Sequence, residues 1–150
     1  MCIDYKFTKE EKEKWLKDKP ETITAYKVVV KKEITNKGRI NGLSALYFNY
    51  YFQRKNRIKT VVSEHSRRIT NTCYNKTDKL TTYVAYYHLY LLKEEAKSYR
   101  DRWYFANRKG MRVITCKIPK ELITDVGYQD ERLVVVTRGF DIVGQNNNLE

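Results

Sequence analysis

The chain has 150 residues, 41% hydrophobic and 32% charged, and at this length folding buries roughly 70% of the surface of the unfolded chain, enough for one domain around one core. Its net charge of +12, from 30 Lys and Arg against 18 Asp and Glu, points to an anionic partner, while its apolar content argues against a disordered chain. No apolar run approaches the ~20 residues of a membrane span, and the opening MCIDYKFTKEEKEKW is charged where a secretory signal would be apolar, so no membrane partner is expected.

Thr8 and Glu11 form a capping-box pair, in which each side chain satisfies the other residue's free backbone N–H, and they predict a helix from Lys9 to Lys17. Its apolar anchors, Trp15 and Leu16 with Phe7 just before, suit a surface helix docked by its end, and Pro20 stops it. Thr22 to Lys31 reads as a strand on the branched and aromatic content of Ile23, Tyr26, Val28, Val29 and Val30. Asn36-Lys37-Gly38 supplies a turn. Leu43 to Phe52 is a second strand that pairs with the first as a hairpin, and Arg57 to Val62 is a third. From Ser63 to Lys79 the sequence turns polar and loses its period, which predicts a long mobile loop.

Thr82 to Leu91 reads as a central strand. Leu92, Ala96, Tyr99, Trp103 and Ala106 then repeat at helical spacing, so a second helix is expected to lay an apolar stripe across the sheet and end at Gly110. Arg112 to Ile118 is a strand, Pro119 to Ile123 a short turn of helix, and Leu133 to Thr137 with Phe140 to Val143 close the fold, with bends at Gly127 and Gly139. The expected architecture is α+β: a single domain over residues 1–148, a largely antiparallel twisted sheet with two main helices and a long polar loop. Leu149 and Glu150 read as a cloning remnant. Cys2, Cys73 and Cys116 show no ligand spacing and their odd number does not close into disulfides, which suits a reduced, cytoplasmic setting.

The charge is unevenly spread. Residues 1–34 hold 9 basic and 7 acidic groups, residues 35–80 hold 10 and 2, and residues 81–150 hold 11 and 9. Arg54, Lys55, Arg57, Lys59, Arg67 and Arg68 crowd into fifteen residues against Glu64 alone. Such a surface attracts a polyanion, each contacted phosphate releasing counterions and making binding weaken with salt; as a plain solvated face it would only aid solubility. Beside it runs Leu46-Tyr47-Phe48-Asn49-Tyr50-Tyr51-Phe52. Strand alternation turns Leu46, Phe48, Tyr50 and Phe52 toward a core and leaves Tyr47 and Tyr51 as stacking platforms for nucleic-acid bases.

Tyr87-His88-Leu89-Tyr90-Leu91-Leu92-Lys93-Glu94-Glu95-Ala96, followed by a basic helix, Val113-Ile114-Thr115-Cys116-Lys117-Ile118 and Val126-Gly127-Tyr128, resembles small uncharacterised proteins of phages and prophages, in which an aromatic-His-x-aromatic strand end runs into a Glu-Ala helix. Tyr26-Lys27-Val28-Val29 fits the same plan, whereas Tyr86 or Tyr87 stands where that pattern would carry glycine. The resemblance implies a mobile-element origin and a host cytoplasm, and brings no activity with it.

The six glycines have no nucleotide-motif spacing, and no cofactor is implied. His88 shares a strand face with Tyr86 and Tyr90, as a base in an aromatic pocket would; a hydrogen-bonded structural histidine has the same pattern. An enzyme handling a nucleotide would use Tyr26 or Tyr86 to stack, His88 as base and Arg67 or Arg68 on phosphate; a mixed fold of this size also resembles ADP-ribosyl-transferring domains in outline, and that resemblance implies a later carboxylate, Glu121 or Glu131. His65, Cys73 and Glu64 lack metal-ligand spacing, so no metal site is expected. The sequence therefore favours a non-enzymatic module that engages nucleic acid or an acidic protein surface through the 54–68 cluster, with the small enzyme and a phage structural or assembly component as alternatives.

Overall fold

The computed structural model describes residues 3–32, 42–44, 51–52, 70–102 and 111–143. The capping box forms as expected: Thr8 Oγ1 accepts the Glu11 N–H at 3.2 Å and Glu11 Oε1 accepts the Thr8 N–H at 3.1 Å, starting α1 (Lys9–Lys17). Such caps stabilise a helix by ~1 kcal/mol. No residue of α1 is fully buried; Trp15 and Leu16 rest against the core from its margin, as a surface helix should.

The strands are β1 (Tyr5–Lys6), β2 (Thr22–Lys32), β3 (Gly42–Ser44), β4 (Tyr51–Phe52), β5 (Thr70–Asn75), β6 (Leu80–Val84), β7 (Tyr87–Tyr90), β8 (Met111–Pro119), β9 (Ile123–Gln129), β10 (Arg132–Thr137) and β11 (Asp141–Ile142). A second helix, α2 (Lys93–Arg102), precedes β8, and a 3-10 turn (Lys120–Leu122) leads into β9. All belong to one sheet in the order β11-β8-β2-β7-β10-β9-β1-β5-β6, with β3 and β4 added as a hairpin on the end of β2. Among the described pairings only β1 with β5 is parallel, so the fold is α+β with a largely antiparallel sheet.

β6 and β7 are joined by Ala85 and Tyr86 alone, and the Tyr86 N–H bonds the Val84 carbonyl at 2.9 Å, a three-residue turn that bends one run of chain into two strands. The hydrogen-bonded path from β7 through β10, β9, β1 and β5 thus returns to the chain it left, and the strands close into a ring. Ile3, Cys73, Tyr83 and Val136 meet inside it, each no more than 4% exposed. Gly127 permits the closure. It lies within β9 rather than at a bend, and a Cβ there would collide with the Tyr5 carbonyl oxygen and Ile3 Cγ2.

Beyond the ring, the alternation of β2 builds a core on each face. Ala25 and Val29 join Leu89, Ile114, Val135 and Phe140 on one side; Val28 joins Tyr90, Val113 and Val134 on the other, under Ala96 and Tyr99 of α2. Each such apolar side chain removed from water contributes about 1.5–3 kcal/mol, which outweighs the weak helix content of α2 itself.

Several boundaries differ from expectation. Leu43 to Phe52 is not one strand: Leu43 pairs with Phe52, so its two ends belong to facing strands. Residues 70–75 form β5 rather than mobile loop, because the polar TNTCYN run buries Cys73 inside the ring while its backbone is held between β1 and β6. Thr82 to Leu91 is broken at Ala85. Leu92 does not join the α2 stripe: it precedes the helix, is 59% exposed, and contributes its carbonyl to the Ala96 N–H at 3.2 Å. The predicted strand Arg57 to Val62, residues 63–69 of the predicted loop, and Trp103, Ala106 and Gly110 of the predicted helix lie outside the described residues.

Candidate functional site

The basic cluster expected to bind, Arg54, Lys55, Arg57, Lys59, Arg67 and Arg68, lies outside the described residues, as does Tyr47; of Tyr51 the structure gives the backbone, in β4 opposite Ser44. The fold does fix the described residues that flank this segment: Phe52, which ends β4, and Thr70, which opens β5. The described residues hold 20 basic and 15 acidic groups, so +7 of the +12 is carried by the remainder. Four described carboxylates pair with described cations: Glu11 with Lys76 at 2.9 Å, Asp125 with Lys6 at 3.6 Å, Asp101 with Arg100 at 3.1 Å and Asp130 with Arg102 at 3.4 Å.

His88 sits on β7 facing the interior of the ring, 6% exposed. Its Nδ1 is 3.0 Å from the Tyr86 carbonyl, which only accepts, so the proton resides on Nδ1 and Nε2 accepts from the Tyr83 hydroxyl at 2.9 Å. The Tyr83 oxygen in turn accepts the Ile3 N–H at 2.8 Å and an Asn71 Nδ2–H at 3.2 Å. Burial, reinforced by the Lys27 charge, pushes the imidazole down to about 3, so it is neutral at pH 7. An imidazole whose lone pair and proton are both engaged inside a core ties the kinked strand to the N-terminus; it is not poised to take a substrate proton. Of the other residues of an enzymatic site, Arg67 and Arg68 lie outside the described residues, Tyr86 adjoins the imidazole through its carbonyl, and Tyr26, Glu121 and Glu131 are not gathered around it. Tyr26 packs against the α2 side of the sheet and Tyr86 against the ring, Glu121 is exposed on the 3-10 turn, and Glu131 is exposed at φ 64° in the β9–β10 turn. Glu131 is five residues along β10 from Val136, the register partner of His88, a distance of roughly 17 Å. Among the described residues no group of three or more His, Cys, Asp and Glu could hold a metal ion, and no helix is long and apolar enough to cross a membrane.

Two features escaped the sequence reading. The first is Lys27, an inward position of β2 between Ala25 and Val29, 6% exposed. The described pairing of β2 with β7 is the single pair Tyr26 with Tyr90, and from Val30 onward β2 pairs with β3 instead. Because the Leu91 N–H bonds Leu133 of β10, the alternate carbonyls of β7, His88 among them, point toward β2. Lys27 Nζ donates to the His88 carbonyl at 3.0 Å, supplying the donor that the diverging backbone no longer offers. Burial pushes this ammonium down to about 8 from an ordinary 10.5, and pushes the thiol of Cys116, opposite Ala25 on the same face, upward. The signal was present as a lone Lys at an inward position of an apolar strand.

The second is an exposed row across the outer face of the ring. Leu80, Tyr74 and Tyr5 are register partners on β6, β5 and β1, 66%, 49% and 45% exposed, and the two tyrosine rings lie 6.4 Å apart at 42°. Beside them Thr70, Thr72 and Thr82 are also exposed on that face. No signal in the sequence marks these rings as surface, since Tyr5 and the TNTCYN run were not read as strands.

No protein-family model matches the chain, and no curated protein or solved structure matches it.

Proposed function

We propose that this protein is a small basic non-enzymatic binding module, of phage or mobile-element type, that engages nucleic acid through the segment bearing Arg54, Lys55, Arg57, Lys59, Arg67 and Arg68. One observation carries the reading: +7 of the +12 falls outside the described residues, with six cations in fifteen residues against Glu64. Opposed charge drawn from the flanking thirds would have argued against it, and several carboxylates of those thirds are instead engaged with cations of the described fold. The buried, doubly bonded His88 supports a binding rather than a catalytic reading.

The test is binding to duplex DNA, single-stranded DNA and RNA, each measured across a salt series, for the wild type and for a variant with Arg54, Arg57, Arg67 and Arg68 changed to Gln. Loss of four phosphate contacts should lower the slope of log K against log salt by about 3 on a single strand. Binding unchanged in the variant rejects this surface. No binding to any of the three while an acidic protein surface is retained assigns the cluster to a protein partner.

A further inference from the structure

We infer that the outer face of β1, β5 and β6 is a base-stacking surface for single-stranded nucleic acid, with Tyr5 and Tyr74 as its platforms; this rests on the nucleic-acid reading above and places part of the contact on the described strands. Three large apolar or aromatic side chains exposed side by side on adjacent strands are uncommon on a soluble surface and mark contact sites. Here they form one row, Leu80-Tyr74-Tyr5, fixed by strand register rather than by loop conformation. The platforms are therefore preorganised.

The geometry favours a single strand over a duplex. The ring centroids are 6.4 Å apart, nearly twice the ~3.4 Å step between stacked bases of one strand, so the two rings suit successive bases splayed apart, which a duplex does not present. With 42° between the rings, bases stacked on them would not lie parallel as the bases of a duplex strand do. Every base has a π-face, so stacking of this kind is indifferent to sequence, and the hydroxyls of Thr72 and Thr82, register partners on the same face, offer adaptable donors and acceptors rather than a fixed code.

Charge selects the same partner. The turn between β5 and β6 carries Lys76 and Lys79 close in sequence to Tyr74 and Leu80 of the row, with Asp78 between them. Lys76 is held by Glu11 at 2.9 Å and lies over the Phe7 ring at 5.1 Å, with more than half its side chain exposed. Asp4, the other acid close by in sequence, is turned to the Asp130 N–H at 2.7 Å. Lys76 and Lys79 are balanced by Glu11 and Asp78, so the face itself carries no excess of positive charge; it is the net charge of +12 on the whole molecule that draws in a polyanion and leaves discrimination to the rings.

The experiment measures fluorescently labelled oligo(dT) and a duplex of equal length against wild type, Tyr5→Ala, Tyr74→Ala, the Tyr→Phe variants and the four-Arg variant. Each Tyr→Ala change should weaken oligo(dT) binding about tenfold with the salt slope unchanged, and Tyr→Phe should retain it. The duplex should bind each Tyr→Ala variant as it binds the wild type. Because both rings are nearly half exposed the variants should fold; as an independent readout, oligonucleotide carrying 5-iodouracil should photo-crosslink the wild type at peptides containing Tyr5 or Tyr74. Tyr→Ala variants that bind like the wild type while the four-Arg variant fails overturn the stacking surface and leave the nucleic-acid reading standing. No nucleic-acid binding by the wild type overturns both. Loss of self-association in Tyr74→Ala with oligo(dT) binding intact gives the face to a second copy of the chain and overturns the inference.

Discussion

Replacing Lys27 by Met removes a buried ammonium while keeping an unbranched side chain of similar length. Two effects oppose each other at pH 7. The interval between the ordinary 10.5 of a lysine and the value of about 8 that burial imposes here corresponds to about 3 kcal/mol by which the fold disfavours the charged form. Against that, the His88 carbonyl loses the donor it has at 3.0 Å, a cost of about 1–3 kcal/mol for a buried acceptor left without a partner. The two nearly cancel, so Lys27→Met should change stability little at neutral pH. The pH dependence separates them. Below about 8 both folded and unfolded chains carry the proton and the burial cost is fully present. Between about 8 and 10.5 the unfolded chain holds a proton the folded one has released, so wild-type stability rises with pH, and the neutral amine still donates to the carbonyl. Urea unfolding of both proteins at pH 7 and pH 9.5 should therefore show the wild type gaining about 2 kcal/mol on the variant over that range, other titrations cancelling in the difference. Parallel stabilities across it would refute the buried ammonium and with it the account of the gap between β2 and β7.

The same logic with opposite experimental direction applies to His88, whose folded value of about 3 lies below the ordinary 6.5: the stabilisation is present above 6.5 and is lost as pH falls toward 3, so His88→Gln should lose about 3 kcal/mol less than the wild type between pH 7 and 4.5 in urea unfolding. Equal acid sensitivity would show that the imidazole protonates freely. Gly127→Ala should cost at least ~2 kcal/mol, because its Cβ meets the Tyr5 carbonyl and Ile3 in the ring; hydrogen exchange should show β1 amides losing protection first, and an unchanged denaturation midpoint would mean that β1 does not approach β9 so closely.

The parts of the fold that local chemistry dictates were legible. Thr8 and Glu11 define both the start and the side-chain bonds of α1, and the branched run of β2 and the Val-rich β10 declare themselves by composition. What was hidden depends on closure. β1 is two residues long and β5 is mostly threonine and asparagine; neither has an apolar pattern of its own, and each is a strand because the other lies beside it. The kink at Ala85 is equally silent, since the run from Thr82 to Leu91 alternates well enough for one straight strand. Its bend is set by the ring, where Tyr83 must reach both the Ile3 N–H and His88.

Site legibility follows the same division. A cluster of arginines is visible in sequence because charge acts without needing a fold, whereas a stacking surface is a property of register. Tyr5 and Tyr74 are 69 positions apart, and only the parallel pairing of β1 with β5 sets their rings side by side. The consequence for the proposed binding is a division of labour between two terms with different experimental signatures. The arginine term should vanish with salt, and the tyrosine term should persist in it but discriminate single strand from duplex. Affinity for oligo(dT) that falls to the duplex value in the double Tyr5→Ala, Tyr74→Ala variant, at every salt concentration, is the result that this division requires.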